Sequence, residues 1–133
     1  RFQSAGARHV VWLAPDEYLL LCEAGKEQEL QDSLNSMIAS PHFAITDVSD
    51  SLCALSLRGP AVRVVLAKGC GLDLHPKKFA AGQSAQSLLA LSAVTLMAVA
   101  DDAFILICRT SFAPYLQRWL ADAALEYGYQ YIA

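Results

Sequence analysis

The chain alternates short apolar runs with polar turns, and the spacing of those runs predicts most of its elements. His9–Ala14 and Tyr18–Cys22 flank Pro15-Asp16-Glu17, a polar turn in which proline fixes φ, and together they predict a hairpin. Beyond Gly25, the apolar positions Leu30, Leu34, Met37 and Ile38 fall on one face of a helix spanning Lys26–Ala39, with Ser40-Pro41 as its stop. The pattern then recurs. Phe43–Val48 and Leu52–Leu57 read as strands around the turn Ser49-Asp50-Ser51. Gly59-Pro60 opens a helix over Ala61–Lys68, proline being harmless in a first turn where its missing N–H has no partner to lose, and Gly69 closes it.

Cys70–Gly82 shows no period and reads as irregular. Three apolar strands follow at Gln83–Ala90, Ala93–Ala100 and Ala103–Cys108, with Asp101-Asp102 turning the last pair. The final helix has the strongest signal: Phe112, Tyr115, Leu116, Trp119, Leu120, Ala123, Ala124 and Tyr127 form a continuous apolar stripe between Ser111 as N-cap and Gly128 as C-cap. Hairpins alternating with helices predict an α+β fold, with antiparallel sheets, helices on one face and strand–strand–helix units repeated twice. The 133 residues read as a single unit, or as two small packed lobes at about 1–69 and 70–133.

Composition adds one anomaly. Charged residues make up 17% of the chain and mean hydropathy is +0.33, against roughly 25% charged in an average soluble domain. Two readings fit: plain alanine richness, or a surface partly covered by partners. In the second case, an apolar patch is expected around Leu88–Val99 or the Leu72–Phe79 loop, and the isolated chain is expected to self-associate. Net charge is −3 and no basic cluster exceeds Lys77-Lys78, so no footprint for nucleic acid or an anionic membrane is present. The mostly apolar stretch Leu88–Ala100 is too short to cross a bilayer as a helix and reads as buried strand. Arg1-Phe2-Gln3-Ser4 leads into no apolar segment of the kind a signal peptide needs, and the missing initiator Met is expected of a chain trimmed at its start. A cytoplasmic location is expected.

Candidate chemistry is sparse. The sequence holds no G-x-S-x-G, no G-x-G-x-x-G and no phosphate-binding P-loop. Lys68-Gly69-Cys70-Gly71 follows a helix, whereas a phosphate cradle precedes one, at the positive end of the dipole. Cys70, Asp73 and His75 supply three ligand types within a short loop, but no second pair completes a tetrahedral site. They read as loop residues whose Asp and His cap neighbouring backbone. Asp47 is open to two readings, a functional carboxylate at a strand end or a side chain that hydrogen-bonds its own turn. The cysteines Cys22, Cys53, Cys70 and Cys108 form no C-x-x-C pair and read as buried reduced thiols.

One stretch carries a resemblance. Leu57-Arg58-Gly59-Pro60-Ala61-Val62-Arg63-Val64-Val65-Leu66 is similar to a motif of the aminomethyltransferase (glycine-cleavage T-protein) superfamily. Its continuation from Ala67 to Phe79, followed by Gly82 and Ala85-Gln86, resembles the gamma subunits of heterotetrameric sarcosine oxidases. The Trp12–Leu21 hairpin and the terminal aromatic helix fit the same family. Ser87, where threonine is common, and Leu91-Ser92-Ala93, which lacks a turn glycine or proline, depart from its pattern. The resemblance implies a fold like part of an aminomethyltransferase and a non-catalytic assembly role beside alpha, beta and delta subunits. It implies a complex that oxidatively demethylates sarcosine to glycine and hydrogen peroxide and passes the one-carbon unit to tetrahydrofolate. The cofactors it implies (FAD, FMN, NAD, tetrahydrofolate and zinc) belong to the other subunits, leaving this chain with no catalytic, cofactor-binding or metal residues. The equivalent subunit of a related N-methyl amino acid dehydrogenase is one alternative, and a stand-alone folate-binding aminomethyltransferase-like protein, with Asp47 as its carboxylate, is another.

Overall fold

The computed structural model describes residues 1–38 and 42–130. Strands β1 (Phe2–Ala5), β2 (Arg8–Ala14) and β3 (Glu17–Leu21) form a three-stranded antiparallel meander. Helix α1 (Glu27–Met37) follows, and an irregular stretch leads into β4 (Leu52–Arg58). Helix α2 (Val62–Ala67) precedes a long loop and strands β5 (Ser84–Leu89), β6 (Ser92–Ala100) and β7 (Ala103–Arg109), and a 3-10 turn at Thr110–Phe112 runs into helix α3 (Ala113–Ala123). The second sheet is antiparallel in the order β4-β7-β6-β5. A division at residue 69 would run through it, because β4 comes from one side of that point and the other three strands from beyond it.

The period of two decides the layering. Along β6 and β7, Val94, Leu96, Ala98, Phe104, Leu106 and Cys108 meet α2 and α3, while Met97 and Ile107 meet Phe2 and Val11 of the meander. The two central strands are therefore apolar on both faces, which is why they read as nearly unbroken apolar runs. Each large side chain buried there contributes about 1.5–3 kcal/mol. α2 and α3 cover one face of the second sheet, as expected, and the meander covers part of the other. Helix α1 contributes no buried residue.

Several expectations are corrected. Phe43–Val48 is not a strand, and apart from half-buried Ile45 it is exposed. Its expected partner, β4, pairs instead along its whole length with β7, from Leu52↔Arg109 to Arg58↔Ala103. Asp47 meanwhile accepts the Ser49 N–H at 2.9 Å, turning the chain where a strand would continue. The second strand–strand–helix unit is thus a strand–helix unit. An additional strand, β1, was not anticipated, since Phe2 is the one large apolar residue in it; Gly6, at φ 62°, makes the tight turn into β2.

The terminal helix ends at Ala123, short of Tyr127. Beyond it, Tyr127 N–H donates to the Ala124 carbonyl and Gly128 N–H to that of Leu125, so the chain tightens into 3-10-like turns. Gly128 is left-handed at φ 77°, but it closes this turn and not the helix. Ser111 lies in the 3-10 turn, and Phe112 takes the N-cap position without a side-chain bond. The proposed stop at Ser40-Pro41 lies outside the described residues.

The end of α2 is packed too tightly for any side chain at Gly69. A Cβ there would sit 2.4 Å from Trp119 Cζ2 on α3 and 3.2 Å from the Ala90 backbone nitrogen. Gly69→Ala should therefore destabilise the chain by about 1–3 kcal/mol in urea unfolding. Adding Trp119→Leu should recover part of that loss relative to Trp119→Leu alone, giving a non-additive cycle. An unchanged midpoint for Gly69→Ala would show that the helix ends do not meet this closely.

Candidate functional site

The loop after α2 carries the residues that chemistry would nominate, and each has a local structural task. Cys70 is buried, with its Sγ 3.6 Å from Ser87 Oγ. Asp73 Oδ1 accepts the His75 N–H at 3.1 Å, and His75 Nδ1 accepts the Lys77 N–H at 3.1 Å. These are consecutive side-chain-to-backbone turns, the competition that short polar residues offer to regular structure. No group of three or more His, Cys, Asp or Glu residues among those described is placed to hold a metal. Asp47 is exposed, and its Oδ1 accepts both the N–H and the Oγ–H of Ser49 at 2.9 and 2.5 Å. The Ser49 hydroxyl and N–H hold its carboxyl below the usual carboxylate range. Of its two readings, the geometry supplies the turn.

Sequence reasoning missed Arg63. Its side chain is 13% exposed, and a guanidinium stays charged, so its donors need acceptors. Nε donates to the Asp101 carbonyl at 2.8 Å, and Nη1 donates to the carbonyls of Leu74 and Phe79, each at 2.7 Å. The group stands 5.0 Å from the Phe104 ring centroid, with Nη2 3.9 Å from Asp101 Oδ1. One side chain thereby ties α2, the loop and the β6–β7 turn together. The available signal was a single arginine inside the apolar run Val62–Leu66. At the other end of α2, Lys68 Nζ donates to the Ala123 carbonyl at 2.7 Å and pairs with Glu126. That hydrogen bond, with the lysine's charge, keeps the Glu126 carboxyl below its ordinary range.

A cleft of about 360 Å³ opens between the β1–β2 turn and strand β4. Gly6 and His9 form one side, Ala54, Leu55, Ser56 and Arg58 the other, over Val99 and Ile105. Successive strand residues send side chains to opposite faces, so Ala54, Ser56 and Arg58 share one face of β4, and with Ile105 and Val99 of the inner strands they place the cleft over the meander-facing side of the sheet. His9 Nδ1 and Ser4 Oγ are 2.6 Å apart. The two residues lie directly opposite across β1 and β2. Ser4 is the one described residue that hydrogen-bonds the His9 ring, so the pair lacks the orienting carboxylate of a nucleophilic triad. The cleft offers a cationic rim and an apolar floor.

The exposed apolar side chains only partly match expectation. Leu88 is exposed, and Leu91 at the β5–β6 tip is 83% exposed. The Leu72–Phe79 loop, however, is not an apolar patch: Leu74 and Phe79 are buried in the core, held there by the Arg63 bonds to their carbonyls. Met37, at the end of α1, is 77% exposed, and Leu125 and Tyr129 lie open beyond α3. Of the cysteines, all free, Cys70 and Cys108 are buried as expected, but Cys22 and Cys53 are half-buried, near strand ends that no layer fully covers.

Comparison with known proteins gives a consistent result. The model of the family described as "Sarcosine oxidase, gamma subunit family" matches residues 2–126. The sarcosine oxidase subunit gamma of Corynebacterium sp. strain U-96 is 34% identical over 119 residues, covering 90% of this chain and 57% of that protein. An aminomethyltransferase of Saccharopolyspora erythraea is 28% identical over 121 residues, 87% of this chain and 32% of that protein. Among solved structures, a chain of heterotetrameric sarcosine oxidase from Corynebacterium sp. U-96, in complex with pyrrole 2-carboxylate, superposes with a TM-score of 0.87 at 31% identity, covering 98% of this chain and 66% of that one. The chain therefore spans somewhat less than two thirds of the length of the gamma subunits it matches.

Removing the guanidinium should be costly. Arg63→Ala should lower unfolding free energy by about 3 kcal/mol, since it strips three carbonyls, two of them in part-buried bonds, of their donor, and Arg63→Lys should recover only part, because a point ammonium cannot reach all three. Urea titration decides this, and a change below about 1 kcal/mol would mean that water replaces the clamp. The thiols give a second expectation. Burial, followed by the charge of Cys53, pushes the Cys108 thiol up, and burial followed by Glu27 and Glu23 pushes Cys22 up. At neutral pH Cys70 and Cys108 should resist a thiol reagent and Cys22 should react slowly, faster as pH rises past the ordinary thiol range. Rapid labelling of all four cysteines in the folded chain would contradict this burial.

Proposed function

The chain belongs to the sarcosine oxidase gamma subunit family, and on that premise we propose that it is a non-catalytic assembly subunit of a heterotetrameric sarcosine oxidase in the cytoplasm. Its partners are the alpha, beta and delta subunits. They supply the FAD, FMN, NAD, tetrahydrofolate and zinc sites that demethylate sarcosine to glycine and transfer its one-carbon unit, and this chain holds none of them.

The observation that carries this reading is the surface. Large apolar side chains stand exposed in three separate parts of the chain, at Met37, at Leu88 and Leu91, and at Leu125 and Tyr129, in a chain with only 17% charged residues. Permanent subunit interfaces are richer in apolar atoms than free surface. No helix among the described residues is long and apolar enough to cross a membrane, so a bilayer-spanning helix is not what those side chains serve. The likeness to an aminomethyltransferase favours a second reading, a folate-binding protein acting alone. The surface turn that occupies Asp47 leaves that reading without the carboxylate it would need.

Co-expression of a tagged chain with alpha, beta and delta subunits tests the proposal. The tagged chain should bring down flavin absorbance and sarcosine-dependent peroxide formation, whereas the isolated chain should be colourless, inactive and, by light scattering, self-associated through its uncovered apolar area at about 25 cal/mol per Å² before association costs. A monodisperse monomer that binds tetrahydrofolate and recruits no flavin-bearing partner would favour the stand-alone reading and sink this one.

A further inference from the structure

We propose that the outer edge of β4 is a strand-addition site, filled in the assembly by an extended segment of a partner subunit that places a carboxylate side chain against Arg58 and His9. This rests on the assembly-subunit reading and names the surface through which it works.

The sheet edges other than that of β4 are each protected. β1 has only four residues, and its Phe2 N–H donates to the Gly82 carbonyl. β3 begins with Glu17 and is broken from its partner by a register shift between Trp12 and Ala14. β5 is bridged by Cys70 at Leu89, and Gln86 Nε2 donates to the Leu13 carbonyl. β4 has none of these devices. It runs seven residues in unbroken register with β7, is apolar in composition, has no proline and carries its single charge at the last position. From Cys53 to Leu57 its outer edge makes no backbone hydrogen bond to any described residue. A long, regular, apolar edge of this kind templates pairing with another chain, and free edges in native proteins are normally blunted.

The charge beside this edge sets the occupant. Ala54, Leu55, Ser56 and Arg58 line a cleft on the meander-facing side of the sheet, over Ile105 and Val99 of its inner strands, with Gly6 and His9 opposite. A strand added at the edge gains affinity from main-chain bonds, and its side chains on the cleft side reach this rim to give specificity. The rim is cationic. Arg58 has no hydrogen-bond or ion-pair partner among the described residues, and a guanidinium with five free donors selects a carboxylate. A second copy of this chain fits poorly: its own β4, Leu-Cys-Ala-Leu-Ser-Leu-Arg, offers no carboxylate, and it would bring its own β1–β2 turn into the space a single strand requires.

Hydrogen exchange on the chain, free and within the purified four-subunit complex, tests this. The expected result is that Cys53–Leu57 amides slow by roughly tenfold or more on assembly. Arg58→Glu and, separately, Ser56→Lys should cut recovery of the partner subunits by a similar factor without shifting the isolated chain's melting temperature. If either variant misfolds, the exchange comparison on the unmodified chain still decides. A complex that forms normally with unchanged exchange in β4 overturns the strand-addition site and leaves the assembly role standing. Failure of the unmodified chain to form any complex overturns both. Protection of β4 that grows with concentration in the free chain, with sedimentation as a dimer, assigns the edge to a second copy and overturns the partner-strand proposal.

Discussion

Everything on the helical side of the second sheet depends on the burial of one guanidinium. Taking a permanent charge out of water costs several kcal/mol unless its donors are met, and Arg63 meets most of that demand through Nε and Nη1 on the carbonyls of Asp101, Leu74 and Phe79, while its buried Nη2 has no hydrogen-bond partner among the described residues. The acceptors come from two separate parts of the chain, so satisfying the arginine fixes the path of the irregular loop. With its carbonyls held, Phe79 lies parallel to Phe104 at 6.1 Å between centroids, and Leu74 fills the core beside it. The loop that by composition invites a metal reading is thereby an inward-facing part of the packing. Asp73 and His75 shape its turns while the apolar residues between and beyond them are buried.

On the opposite side the structure is less complete. The meander reaches Met97 and Ile107 but leaves Val99 and Ile105 half-covered beneath the cleft and the outer edge of β4 open. Helix α1 is amphipathic yet has no fully buried residue, Leu30 and Leu34 being half-buried, and an isolated helix of its length is marginal in water. With the α1 face only half-buried and the outer β4 edge open, the closest packing is concentrated in the half of the domain where α2 and α3 meet the second sheet.

The legible parts of the fold were those whose signal is local. Strands β6 and β7 and helix α3 could be read because a two-sided apolar strand and a 3.6-residue stripe are both written in consecutive residues. Phe43–Val48 carries as good a strand pattern as Leu52–Leu57, but pairing is a property of two segments, and β7 claims β4 from far along the chain. β1 had almost no apolar signal and exists because β2 offers it an edge. The Arg63 clamp was invisible for a related reason: its acceptors are backbone carbonyls, which any sequence supplies. The cleft was hidden too, since Arg58 and His9 come to line one space only after the two sheets stack.

The central claim is that stability resides in the clamped sheet–helix half while α1 and the edges remain open. Native-state hydrogen exchange on the free chain in low urea measures this most directly. The account predicts that amides of β6, β7 and the Leu74–Phe79 segment exchange only through global unfolding, while those of α1 exchange through openings several kcal/mol cheaper. Equal protection of α1 and β7 would contradict it.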